Sequence, residues 1–433
     1  MPGLLLVPYN DNMRLGQGYN SFLQEPCADG TVTFDKKERT SNTSINKAAP
    51  GSQAISYSSC FVEKLSDIAQ LLNISAGKSI KRGEIEISGS ALSVDEAGFS
   101  SADINVVLSV KVVAETTAIS DLASFDQSLS NFRHMDSETF HDLYGDSFIS
   151  GFVEGGELHG IISVRALDRN QKSTIKSALE GAMNSLTNKK DPTLRTSPIA
   201  DNVELESALS TAETTISVNW IGGGQIRHEH EHEHDNNEWS LQELFRAADS
   251  FPARVRMMPT RTHAILTKYD DIATFLSWAQ PRQITIRQYD TAHLYARELL
   301  DMYMAYKGHT KLLQDALAAP ETFRENEAVD AVDISIQGLV TARKMIRTEM
   351  LNIVNVIDQL ELKESVRDKH HERAKAIEAK SRVPPPELWA IRLPVNLPSH
   401  SASFSFHTED PNPPRQVKAT NSLGTSNSTD DRE

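Results

Sequence analysis

The chain has 433 residues, with 44 Lys+Arg against 59 Asp+Glu and a formal net charge of -15. That balance excludes nucleic acid as an expected partner, since its binding needs clustered cations to displace counterions, and it disfavours indiscriminate adhesion to anionic lipid. Apolar residues make up 39% of the chain, below the usual ~45–50%, so polar stretches must dilute the packed part. The length allows two or three domains of roughly 150 residues each. The two cysteines, Cys27 and Cys60, give no disulfide framework, and no run nears the ~18 apolar residues of a membrane-spanning helix. Met1-Pro-Gly-Leu-Leu-Leu-Val-Pro8 has no charged n-region, so no secretory signal peptide is expected there. The chain is expected to be soluble, cytoplasmic or exported by another route.

Residues 1–60, rich in Gly, Asn, Ser and Thr, read as an N-terminal extension with short strand-like pieces. In Ile104-Asn-Val-Val-Leu-Ser-Val-Lys-Val112 the even positions are all apolar, while Asn105, Ser109 and Lys111 fall on odd ones. This alternation predicts a strand with one buried face and one wetter face. Strand-like runs at 148–154 and 158–164 flank Gly155-Gly156. Paired glycines within a strand mark a bulge, a sharp bend or a close backbone approach; a mechanical hinge and a plain bulge both remain open. Residues 166–213 are polar and helix-prone. The strand-like run Thr215–Ile221 ends in Gly222-Gly-Gly224, which lacks the Lys-Ser/Thr of a phosphate loop and the spacing of a dinucleotide loop. Residues 291–382 are helical in pattern, split by Pro320 into a helical hairpin. Met345, Ile346, Met350, Ile353, Val354, Ile357 and Leu360 form its amphipathic stripe. The Pro-, Ser- and Asn-rich residues 383–433 are expected to be a disordered tail.

Catalytic patterns are absent: there is no nucleophile elbow, phosphate loop or His-Glu-x-x-His helix. The tract His228-Glu-His-Glu-His-Glu-His234 stands apart. As a strand it sets His228, His230, His232 and His234 on one face; as a helix it pairs them four apart. Either geometry suits Zn²⁺ or Cu²⁺. An exposed low-complexity loop that takes up Zn²⁺ only adventitiously is the preferred reading, and no cofactor is required. A metal-dependent hydrolase would need a general-base pattern that does not accompany the tract.

The segment Tyr144-Gly-Asp-Ser-Phe148, then six residues, then Gly155-Gly156, resembles the Tyr-Gly-Thr-His-Tyr/Phe-x6-Gly-Gly motif of the membrane-attack-complex/perforin (MACPF) family. Tyr144, Gly145, Phe148, Gly155 and Gly156 match; Asp146 and Ser147 replace the family's Thr-His. Downstream, the strand leading into Gly222, Gly223 and Gly224, then Trp239-Ser-Leu241 and Phe251-Pro252, is similar to the family's sequence after its second inserting segment. The resemblance implies an α+β fold, in which a bent, twisted antiparallel central sheet within residues 61–290 is flanked by two helical clusters. Residues 291–382 would add a helical extension. It further implies a non-catalytic, stand-alone microbial or fungal pore-forming toxin. Such a protein forms a homo-oligomer on a lipid membrane, each cluster unrolling into hairpins of a β-barrel, and is membrane-associated when active. A partner protein for targeting is left open.

A cluster that unrolls must satisfy two periodicities. In 166–213, Ile175, Leu179 and Met183 share one helix face, and because four is even they also share one strand face. On the returning limb Val203, Leu205 and Leu209 alternate with Glu204, Glu206 and Ser210, an apolar row toward lipid and a polar row toward a wet lumen. Asn188-Lys-Lys-Asp-Pro192 would be the tip. In 62–103, Glu84-Ile-Glu-Ile-Ser88 alternates, but Leu65, Ile68, Leu71 and Leu72 read as helix only. The alternative is a non-lytic interaction or scaffold protein on the same fold, whose C-terminal helices bind a partner or hold the clusters closed.

Overall fold

The computed structural model describes residues 5–34, 44–46, 53–87, 93–119, 123–126, 135–187, 203–226, 239–362 and 383–397. The His228–His234 tract, the tip Asn188–Pro192 and residues 363–382 and 398–433 lie outside them. The chain opens with β1 (Leu5–Pro8), β2 (Gly18–Asn20), β3 (Glu25–Pro26), β4 (Val32–Phe34), β5 (Ser44–Asn46) and β6 (Ala54–Phe61). A first helical cluster follows: α1 (Leu65–Leu71), α2 (Ala76–Arg82) and α3 (Glu96–Ser101). Then come β7 (Ile104–Ala118), β8 (Ala123–Phe125), α4 (Ser137–Tyr144) and β9 (Ser147–Ala166). The second cluster, α5 (Lys172–Thr187) and α6 (Val203–Leu209), leads into β10 (Ala212–Ile221), α7 (Leu241–Met257), β11 (Thr260–Lys268) and α8 (Ala273–Ala279). The chain closes with α9 (Asp290–Ala318), β12 (Phe323–Arg324), α10 (Ile336–Leu362), α11 (Glu387–Ala390) and β13 (Val395–Asn396).

The central sheet is antiparallel and has nine strands among the described residues. β9 is its spine. On one side it pairs with β7 from Gly151 to Val164; on the other it pairs with β11 up to Gly155 and with β10 from Glu157 onward. β6 lies outside β7. β1 pairs with β11 and β2 with β9. β1, β2, β3, β5 and β6 are thus strands of this sheet rather than an extension beside it, and together they supply backbone partners to β7, β9 and β11.

Local sequence sets the element ends. Ser75 caps α2 by accepting from Lys78 N, and Gly83 ends the helix in the left-handed region at φ 78°. Ser240 and Glu243 form a reciprocal capping box at the start of α7, satisfying two donors that the first turn would otherwise leave open. β7 carries five valines, two threonines and Ile104, whose branched side chains suit a pleated surface.

Two large cores sandwich the sheet. The even positions Ile104, Val106, Leu108, Val110 and Val112 join Leu158, Ile162 and Val164 of β9 against α5, α6 and α7. The other core is mostly helix on helix. Ile68, Ile80 and Phe99 of the first cluster meet Leu299, Leu300 and Leu313 of α9 and Leu339, Ile346 and Ile353 of α10, with Val107 and Ile161 from the sheet. The expected wetter face of β7 is corrected here. Asn105 and Ser109 are polar but buried, because the first cluster and α9 roof that side.

The tail expectation is corrected for 383–397. Val383, Trp389 and Leu393 are buried in the same core, Tyr306 Oη donates to the Pro384 carbonyl at 2.8 Å, and β13 pairs with β12. Prolines diluted the apolar signal there, yet three large side chains suffice to anchor the segment. Of the alternating run Glu84–Ser88, Ser88 lies outside the described residues; Glu84–Ile87 forms no strand, and one bridge, Glu86 to Ser93, is the pairing seen among the described residues.

Candidate functional site

The family-motif residues fall into two groups along β9. At its start, Gly145 adopts φ 76° and lies so close to β2 that a Cβ would sit 2.1 Å from the Tyr19 carbonyl oxygen. Tyr144 and Phe148 are buried among Phe140, Tyr269 and Phe275, and Tyr269 Oη donates to the Tyr144 carbonyl at 3.1 Å. Asp146, standing where the family has its Thr-His, is 3% exposed. It accepts from both Ser21 N and Ser21 Oγ at 2.7 Å. Burial pushes its carboxyl up, and the Ser21 bonds only partly offset this.

The second group sits where β9 changes neighbours. Gly155 pairs with Thr260 of β11, and two residues on Glu157 pairs with Ile221 of β10. Gly222, Gly223 and Gly224 follow Ile221, all with positive φ, and let the chain turn away at that junction. A Cβ on Gly222 would lie 2.6 Å from the Gly155 carbonyl oxygen. One on Gly155 would lie 1.9 Å from the Val112 carbonyl oxygen, opposite the register shift between Val113 and Glu115. One on Gly156 would meet Val255 Cγ2 at 2.5 Å, the Ile221 carbonyl oxygen at 2.9 Å and Phe251 Cζ at 3.1 Å. Trp239 packs edge-on to Trp220, ring centroids 6.1 Å apart, and Trp220 Nε1 donates to the Gly224 carbonyl at 2.9 Å. Gly155, Gly156, Gly222, Gly223, Gly224 and Trp239 thus converge, whereas Tyr144, Gly145 and Phe148 lie apart from them. A cleft of about 1100 Å³ opens beside this junction, with Tyr9, Lys78, Arg82, Trp220 and Arg261 in its walls.

The inserting candidates lie on the opposite face from the first cluster. Ile175, Leu179, Met183 and Leu205 are buried against the sheet and Leu209 is partly buried there. Lys176, Glu180 and Asn184 are exposed. Val203 opens α6.

A further set of residues went unread in the sequence. Beneath the first cluster, Lys111 of β7, Glu157 and His159 of β9 and His263 of β11 form one polar network, in which the two histidines are buried and Lys111 is partly exposed. Lys111 Nζ lies 3.5 Å from Glu157 Oε1, His159 Nε2 3.2 Å from Glu157 Oε2, and His263 Nδ1 3.7 Å from Glu157 Oε1. Ser109 Oγ is 3.0 Å from His159 Nδ1, and Asn73, just past α1, places Nδ2 3.3 Å from His263 Nε2. Burial opposes the Glu157 charge, but the His159 bond and the positive charges around it win, holding the carboxyl below its usual range. Burial pushes the His263 imidazole down, with Glu157 opposing and Lys111 and His159 assisting. The signal was present, since Lys111 and Ser109 are the odd positions of the clearest strand and Glu157 directly follows the glycine pair.

Ser109, His159 and Glu157 stand in the order hydroxyl, imidazole, carboxylate. Ser109 nonetheless faces the buried seam, and the adjoining cavity of about 20 Å³ has room for about one water. The arrangement can carry charge and hydrogen bonds but cannot admit a substrate. Among the described residues, no three His, Cys, Asp or Glu side chains are grouped to hold a metal.

The α+β arrangement, an antiparallel sheet with a helical cluster between the strands of two neighbouring hairpins, is the one the motif resemblance implies. No protein-family model and no curated protein matches the chain. Among solved structures it is similar to stonustoxin, at 10% identity and TM-score 0.44, over 88% of this chain and 45% of that one. It is also similar to GNIP1Aa from Chromobacterium piscinae, at 11% identity and TM-score 0.32, over 63% and 57%. A protein with a MAC/Perforin domain from Bacteriodes thetaiotaomicron is similar at 12% identity and TM-score 0.32, over 66% and 64%. The chain therefore spans about half the length of the first two, 45% and 57%.

Proposed function

We propose that the chain is a MACPF-like pore-forming protein without catalysis, which assembles with further copies on a lipid membrane and unrolls helical clusters into transmembrane β-hairpins. One observation carries the reading. β6, β7, β9 and β10 are neighbours in the sheet, and the register sets Phe61 opposite Val106, Ile104 opposite Val164 and Ala166 opposite Ala212. The four strands end at one level, the first cluster joins β6 to β7 there, and the second joins β9 to β10. A cluster that straightened would lengthen its own hairpin without changing any existing strand pair. Each limb has roughly 20 residues, against ~9–11 needed to cross a bilayer. No described helix is long and apolar enough to cross a membrane.

Dye release from lipid vesicles, with electron microscopy of the same vesicles, tests this: leakage with rings or arcs supports it, and tight vesicles refute it. An engineered disulfide between α5 and β6, where Lys176 Nζ sits 5.0 Å from the Phe61 ring centroid, should block leakage until it is reduced. Environment-sensitive dyes at 203, 205 and 209 should report lipid while those at 204, 206 and 210 report water. The second reading, a non-lytic scaffold, is favoured by the packing of the first cluster beneath α9 and α10. On that reading the vesicles stay tight and no alternation appears.

A further inference from the structure

We infer that His263, with Glu157 and Lys111 behind it, is an acid-operated latch on the seam between the central sheet and the first helical cluster. The inference rests on the reading of residues 62–103 as a movable cluster and adds how its release is controlled. The seam is unusual in its chemistry. The apolar side chains of the first cluster turn mainly toward α9 and α10, and the sheet adds only Val107 and Ile161 to the buried side chains of that core. Beside these two it offers Ser109, Lys111, Glu157 and His263. A lid whose own core is apolar thus rests on a mainly polar floor.

His263 is aimed at the lid by the strand irregularity between Arg261 and His263 in the β11–β9 pairing. Asn73 Nδ2 donates to His263 Nε2, which requires an unprotonated Nε2. The ring proton then sits on Nδ1, facing Thr262 Oγ1 at 3.2 Å and Glu157 Oε1 at 3.7 Å. The groups around the ring are few. β7 presents Lys111, β9 presents Glu157 and His159, and β10 and β1 present Asn219 and Pro8, neither ionisable. Protonating Nε2 turns the acceptor into a donor and sets two N–H groups against each other. It also adds a cation beside a carboxylate that Lys111 already neutralises. Bulk water relieves both problems; the cavity at the ring has room for about one molecule, and a full hydration shell needs the lid to lift. A ring held neutral by burial takes its proton more readily in the open form, so falling pH favours opening.

The test uses the full chain with Cys27 and Cys60 replaced by Ser and spin labels on Glu84→Cys, beyond α2, and Thr215→Cys, on β10. Both sites are exposed. Between about pH 7.5 and about pH 5, the interval over which an imidazole changes charge, the population with the longer label separation should rise severalfold. His263→Gln should abolish the rise. Asn73→Gly, which suits the left-handed backbone there (φ 53°) and removes the donor, should show the longer separation already at neutral pH. An unchanged population in the parent chain overturns the latch, as it would if the Asn73 amide simply turned over; so does a His263→Gln variant that responds like the parent. Vesicle leakage measured in parallel separates the two ideas. Acid opening without leakage at any pH leaves the latch standing and sinks the pore reading. Leakage with no pH-dependent separation does the reverse.

Discussion

Gly156 has no room for a side chain: even a methyl group would meet the Ile221 carbonyl oxygen at 2.9 Å and Val255 Cγ2 at 2.5 Å. Gly156→Ala should therefore cost about 1–3 kcal/mol by overpacking, measured by urea unfolding, and a neutral result would mean that β9 shifts freely at this point. The sequence marked this pair by its position inside a strand pattern. It did not mark that Gly222 would pack against the same two residues, because that contact depends on the β9–β10 register. His141, in the turn before Gly145, offers a second test. Its Nδ1 accepts from Arg287 at 2.8 Å, so its Nε2 carries the proton and donates to Tyr289 Oη at 2.6 Å. Burial, then the Arg287 charge, lowers this imidazole to about 4. The unfolded chain takes up the proton first as pH falls. Stability present above the ordinary imidazole pKa should thus be lost toward pH 4, by up to roughly 3 kcal/mol. Unfolding of His141→Gln followed against pH should lack that part of the slope.

Among the elements, the two helical clusters differ in what holds them. α5 and α6 pack on the sheet and on each other. The first cluster is tied instead to the C-terminal helices: Asp301 of α9 accepts from Ser66 N at 3.0 Å and Ser66 Oγ at 2.7 Å, and Lys81 pairs with Asp358 and Glu361 of α10 at 2.9 and 2.6 Å. Asp301→Ala should cost about 1–3 kcal/mol, because it strands the Ser66 donors at the start of α1, and should speed amide exchange in Leu65–Leu71 while leaving α5 unchanged. Equal exchange in both helices would contradict this division. Periodicity made α5, β7 and the stripe of α10 legible, since each has one dominant apolar face; Met345, read into that stripe, is exposed instead. It could not show that the polar face of β7 is covered, because the cover comes from tertiary packing: Asn105 Nδ2 donates to the Phe99 carbonyl of α3 at 3.1 Å, a contact no periodicity reports.

At the scale of the whole molecule, the C-terminal segment closes the helical core. Trp389 is 6% exposed and packs with Val383 and Leu393 in the core that α1, α2, α9 and α10 share. Trp389→Ala should cost about 3–5 kcal/mol and loosen the first cluster with it; a variant as stable as the parent would show that α11 only rests on the surface. The α+β class and the motif region could be read from sequence, but the role of β1, β2, β3 and β5 as sheet strands could not, since two- to four-residue strands carry almost no periodic signal. The polar floor beneath the first cluster has a thermodynamic consequence. Separation along it would wet mainly groups that are already hydrophilic, and exposure of polar surface lowers heat capacity where apolar surface raises it. Opening there should therefore show a heat-capacity change near zero and a shallow dependence on urea. Parting α1 and α2 from α9 would be steep in both.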